Sequence, residues 1–164
     1  MIVKITVFLF SVALFYVDIY LVFGIWFRGK RGTYLNLFFT MGMTLSIWAL
    51  LNGINILLSE ELYIQLYPVV MIFVCILPHV MLRYLLYFTE SRFAQSRLTA
   101  SILTILPALD LLILLTNPWH HGLISGYDGT YPLVGRLFPL HAVISYSSLL
   151  ISVIVLFRYI FKNI

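Results

Sequence analysis

Charge is what this sequence lacks most. Only 10% of its 164 residues are charged, against 62% hydrophobic, and the mean hydropathy is +1.04. A soluble domain carries about 25% charged and roughly 45–50% apolar residues. So few charges cannot cover a water-facing surface, which implies an integral membrane protein. The net charge of +4 is therefore a clue to topology rather than a nucleic-acid footprint. Cysteine is nearly missing too. Cys75 stands alone in an apolar run, which excludes an intramolecular disulfide and a paired-cysteine metal site. It reads as a small hydrophobe. There is no internal repeat and no low-complexity tract, so one membrane domain is expected over residues 1–164.

What is present is a series of long apolar runs. A hydrocarbon core of about 30 Å takes roughly 20 apolar residues per helix. Five segments qualify: Ile2–Phe27, Tyr34–Leu58, Leu62–Phe88, Leu98–Thr116 and Phe138–Phe161. Helix is the expected form, because unpaired backbone does not cross hydrocarbon and the runs are too long for barrel strands. The first run exceeds the length of a signal-peptide core and has no small-residue cleavage site, so it reads as a retained span. The expected architecture is an all-α bundle of five transmembrane helices.

Basic residues orient the bundle. Arg28, Lys30 and Arg31 follow the first span, Arg83, Arg92 and Arg97 surround the end of the third, and Arg158 and Lys162 close the chain. The other side has Lys4 and Arg136, against Glu60 and Glu61. The positive-inside rule then puts the N-terminus outside, the C-terminus in the cytoplasm, and residues 117–137 in an outer loop. The expected location is the plasma membrane.

Polar side chains within the spans need partners, since a charge at the helix centre costs about 2.5–3.5 kcal/mol on insertion scales. Asp18 and His79 each lie nine residues from the inner ends of their spans, a matched depth of ~13 Å. Arg83 shares a helical face with His79. Asp18, His79 and Arg83 therefore form a candidate buried cluster, serving either to tie helices together or to carry function. Thr40, Thr44, Trp48, Asn52 and Asn55 line one face of the second span, and His141, Ser145, Ser148 and Ser152 one face of the fifth. Helix-to-helix bonding is the expected use of both. Asp110 follows Pro107 in the fourth span, and Pro68 and Pro78 mark candidate bends in the third.

The long interruption, Asn117 to Ser148, holds three of the four histidines. Asn117 and Pro118 end the fourth span, Trp119 sits at an aromatic-belt position, and Gly122, Gly126, Gly129 and Pro132 signal turns. Tyr127 and Tyr131 are candidates to cap the mouth of the bundle. His120 and His121 are adjacent and lack any accompanying zinc motif, so no metal site is expected from them. Haem would need two facing histidines at one depth, and His79 and His141 read as mismatched. No GxSxG turn or glycine-rich phosphate loop is present. The sequence thus points to no enzyme and no cofactor.

Several segments together resemble a known family. Ile76–Glu90, ILPHVMLRYLLYFTE, resembles the third-span ending of the N-terminal seven-span sensor region of membrane histidine kinases, with Pro78, Tyr87, Phe88 and Thr89 in the matching places. Asn117, Pro118, His120 and His121 resemble that family's Asn–Pro–x–His motif. Gly135, Phe138, His141, Ser145 and Tyr146 resemble its Gly…Phe…His…Ser–Tyr motif, and Trp48 also fits. The resemblance implies a membrane sensor whose outer surface includes Asn117, Pro118, Trp119, His120, His121, His141 and Tyr146. The family has seven spans followed by cytoplasmic PAS and kinase modules, whereas this sequence is expected to end after the fifth span, without the catalytic output.

Three readings follow. The first is the sensor input domain of a histidine-kinase-type protein, with small shifts between packed helices carrying the signal inward. The second is a small transporter or permease subunit using Asp18, His79, Arg83 and the polar face of the second span as a pathway. The third is a truncated fragment without function. Expected partners are the lipid bilayer, an unidentified small ligand, and a cytoplasmic kinase module or a second copy, but no nucleic acid.

Overall fold

The computed structural model describes residues 2–30, 32–129 and 131–163. Arg31, counted above with the first basic joint, lies outside them. Five long apolar helices dominate: α1 (Ile2–Arg28), α2 (Thr33–Leu57), α3 (Glu60–Phe88), α4 (Arg97–Leu115) and α6 (Phe138–Asn163). Each is long and apolar enough to cross a membrane, and the bounds agree with the expected spans to within about two residues. The protein is a membrane protein.

α1 and α2 form an antiparallel pair in which glycine sets the spacing. A β-carbon on Gly42 would land on the Val22 side chain, and one on Gly53 would stand 2.5 Å from the Ser11 β-carbon. Small residues allow such close approach in lipid, where van der Waals packing drives association. The polar face of α2 behaves differently from the expectation. Thr40, Thr44 and Asn52 each donate to the carbonyl four residues back, on Asn36, Thr40 and Trp48. Inside hydrocarbon the nearest free lone pair is on the helix itself, so these groups bond back to it and not across to a neighbour.

α3 is the central helix, packing against α2, α4 and α6. It buries residues along most of its length, from Val70 to Leu86, whereas α1 buries only Val22. Pro68, Pro78 and Pro107 all lie inside continuous helix. At one end of the bundle, Tyr34 and Tyr84 share a hydroxyl–hydroxyl bond of 3.0 Å and Phe88 packs on Tyr159, joining α2, α3 and α6.

The other end is closed by an element that the sequence suggested only as turns. A single helical turn, α5 (Asn117–His120), leads into an antiparallel hairpin of β1 (Ile124–Asp128) and β2 (Tyr131–Val134). Asp128 pairs with Tyr131 across the tip, where Gly129 takes a left-handed φ of 58°. Gly126 and Pro132 lie within the strands instead of turning the chain. The hairpin folds back onto the helices: Leu123 and Ile124 are buried against Met71, Cys75 and Leu114. Tyr127 stacks edge-on against Tyr67 and donates to the Ile64 carbonyl at 3.5 Å. Tyr131, by contrast, is exposed.

Candidate functional site: a polar seam beneath the hairpin

Asn117 explains why the hairpin sits where it does. Its side-chain oxygen accepts from the amides of Leu123 at 2.8 Å and Ile124 at 3.0 Å, and its Nδ2 donates to the Ile124 carbonyl at 3.0 Å. One amide side chain thus satisfies three backbone groups at the start of β1, which would otherwise be left unpaired in a poorly hydrated place. Pro118 occupies the first turn of α5, where its missing N–H costs nothing. His120 closes the other side. Its Nδ1 accepts from the Gly122 amide at 2.8 Å, so its Nε2 carries the proton and donates to Thr116 Oγ1 at 3.1 Å. His121 turns the chain in a left-handed conformation, φ 47°. Gly135 seals the base, with its amide donating to Leu123 at 2.9 Å; a β-carbon there would land on the Gly122 carbonyl.

Of the outer-loop candidates, Asn117 and His120 are therefore engaged in local bonds. Trp119 and Tyr146 are exposed at 83% and 65%. Pro118 and His121 are also exposed.

His141 is the exception. It is buried at 4% rather than lying on an outer surface, and its Nδ1 donates to Asp110 Oδ2 at 2.6 Å. Asp110 on α4 is fully buried, and the sulfur of Cys75 on α3 stands 3.9 Å from the same His141 nitrogen. Among the described residues this is the one close contact between a basic and an acidic side chain. From His141 a stripe of hydroxyls continues along α6 at Ser145, Ser148 and Ser152, all buried. Ser148 donates to the Ile144 carbonyl at 3.1 Å, leaving its oxygen to accept from His79 Nδ1 at 3.0 Å. Three buried polar atoms in this seam have no bond: Asp110 Oδ1, His79 Nε2 and Ser145 Oγ.

The expected cluster of Asp18, His79 and Arg83 does not form. Asp18 is half-buried on α1, which packs on α2, while His79 faces α6 through Ser148. Arg83 is half-buried, with no bond to Asp18 or His79 among the described residues. Equal depth in two spans says nothing about which helices are neighbours, and here α3 turns its polar face toward α6. The sequence did flag Asp110 as a charge needing a partner, but its partner lies 31 residues away.

The seam and the hairpin clamp fall on the residues that suggested a family. Residues 5–163 match the family described as the N-terminal 7TM region of histidine kinase. The chain belongs to that family. This histidine-kinase sensor region is a membrane part of such proteins, not a catalytic one. No similar curated protein and no similar solved structure was found. Within the sensor region the Asn–Pro–x–His residues build the hairpin clamp, Gly135 its base, and His141 and Ser145 the seam. At the far end of α3, Thr89 caps the helix, its hydroxyl donating to the Leu85 carbonyl at 2.8 Å.

Proposed function

We propose that this chain is the signal-accepting input domain of a histidine-kinase-type protein in the plasma membrane, with the hairpin on the outside and the basic end of the bundle in the cytoplasm. The observation that carries the reading is the Asp110–His141 pair directly beneath the hairpin. A stimulus that moves the hairpin acts on Leu123 and Ile124, which pack with Cys75 and Leu114 over the seam. From His141 the polar stripe reaches Ser152, eleven residues or ~16 Å along α6, about half the hydrocarbon thickness. A small axial shift of α6 against α3 would exchange hydrogen-bond partners along this stripe, giving the discrete alternative packings that a two-state switch requires. Basic residues gather at the opposite end, at Arg28, Lys30, Arg92, Arg97, Arg158 and Lys162, which favours placing that end in the cytoplasm. An output module joined after α6 would receive the shift.

The test joins the chain at its C-terminal end to a histidine-kinase output module and measures basal autophosphorylation in membranes. Asn117→Ala and Asp110→Asn should each move the output by roughly 5–150-fold, the range of a 1–3 kcal/mol coupling. Wild-type output from both variants, at equal membrane amounts, would refute the reading. The orientation is checked by impermeant-maleimide labelling, with Cys75 silent because it is fully buried. Ser125→Cys should react from outside intact cells and Ser91→Cys should not; the reverse pattern would overturn it. Asp18 does not reach His79, so the separation of these two residues favours the sensor reading over the transporter one.

A further inference from the structure

Three side chains from three helices converge under the hairpin, and together they offer more than a helix–helix bond requires. Cys75 Sγ, an Asp110 carboxylate oxygen and a His141 ring nitrogen all lie within 4.8 Å of one another, and all three residues are buried. We propose that Cys75, Asp110 and His141 bind a divalent transition-metal ion of the zinc class.

A purely structural Asp–His bond uses one carboxylate oxygen and needs no thiol beside it. Here the second oxygen, Asp110 Oδ1, is fully buried with no partner, and such a group costs about 1–3 kcal/mol or more if it stays unsatisfied. Ser145, one turn beyond His141 on the same face of α6, holds a second buried oxygen without a bond. A cation between α3, α4 and α6 gives the carboxylate its missing partner and leaves a fourth position for water or for that hydroxyl.

Geometry permits it with small movements. Zinc–nitrogen and zinc–oxygen bonds of about 2.0–2.2 Å and a zinc–sulfur bond of about 2.3 Å place tetrahedral donors roughly 3.3–3.7 Å apart. The His141–Asp110 contact of 2.6 Å would open, and the Cys75–His141 separation of 3.9 Å would close slightly. Both are rotamer-scale adjustments.

Charge selects the ion. A thiolate, a carboxylate and a neutral imidazole carry two negative charges, so a divalent ion yields a neutral site, the cheapest form in hydrocarbon. Loading releases the proton of the Cys75 thiol, because the thiolate is the form that binds the ion. Sulfur and imidazole donors disfavour calcium and magnesium, which take oxygen. His120 and His121, from which no metal site was expected, have no part in this one. It forms instead from residues 35 and 31 positions apart in the chain, too far for any spacing motif. The site does not depend on the signalling role proposed above.

The experiment uses the untagged full chain in detergent micelles. Cobalt(II) added to one equivalent should give a near-ultraviolet thiolate-to-cobalt charge-transfer band, reversed by zinc. Cys75 is the only cysteine, so such a band has one source. Cys75→Ser should abolish it, His121→Ala should keep it, and Asp110→Asn should weaken affinity by at least the roughly 10–100-fold that losing even an outer-shell partner costs. Wild-type protein without the band, or a band surviving in Cys75→Ser, would overturn the proposal. Should a variant not fold, X-ray absorption of zinc-loaded wild type decides: one sulfur in the first shell supports the site, and none overturns it.

Discussion

The Asp110–His141 pair is the most exacting point at which to test the reading of the seam, and a double-mutant cycle isolates it. Both side chains are buried, at 0% and 4%, and the bond is 2.6 Å long. Asp110 lies five residues, or ~7.5 Å, inside the hairpin end of α4. Two magnitudes compete. Breaking a buried ion pair in a soluble protein costs about 3–5 kcal/mol, because one charge is left unpaired. Hydrogen bonds between membrane helices average only about 0.6 kcal/mol, since the membrane-embedded unfolded state finds substitute partners. The carboxylate raises the value above that average and the reference state lowers it below the soluble figure, so a coupling near 2 kcal/mol is expected. His141→Ala should cost about 3 kcal/mol and Asp110→Ala about 2 kcal/mol; the double variant should cost about 3, not the 5 that independent sites would sum to. Unfolding by SDS in mixed micelles gives each value, with chelator present so that a bound cation does not contribute. A coupling under about 0.5 kcal/mol would refute the claim that the two residues depend on each other.

Three further predictions concern the hairpin. Gly135→Ala drives a β-carbon into the Gly122 carbonyl, which is backbone and does not yield, so a loss of about 2 kcal/mol or more is expected. Gly129→Ala meets open space and bears only left-handed strain, about 1–2 kcal/mol; an equal or larger loss at Gly129 in thermal denaturation would contradict the packing. Asn117→Ala removes the acceptor for two amides, whereas Asn117→Asp keeps it. Hydrogen exchange at Leu123 and Ile124 should rise in the first variant and stay slow in the second. Burial, with the Tyr63 hydroxyl as a lesser cause, raises the Tyr127 phenol above its ordinary value of 10.0. A raised folded value means that stability is full below the unfolded value and declines as pH climbs through the folded one. Hairpin docking should therefore weaken above about pH 10, and Tyr127→Phe should shrink that step in a pH titration of hairpin exchange.

The five spans were legible in the sequence because hydrophobic length is a local property: a run of about 20 apolar residues in lipid has no alternative to helix. The family was legible for the same reason, through Asn117, Pro118, His120, Gly135 and His141 in order along the chain. Their use was not. Asn117 reads as a helix stop, yet its side chain anchors a strand six and seven residues away. Gly126 and Pro132 read as turns, yet pairing across the hairpin holds them in strands. Asp18 and His79 share a depth, but depth does not choose neighbours. Side-chain packing set α1 against α2, through Gly42 and Gly53, and α3 against α6. That lateral choice decided which buried charge meets which, and so brought Cys75, Asp110 and His141 together. Partitioning into lipid is a property of each segment alone, while pairing within it depends on which helix faces which.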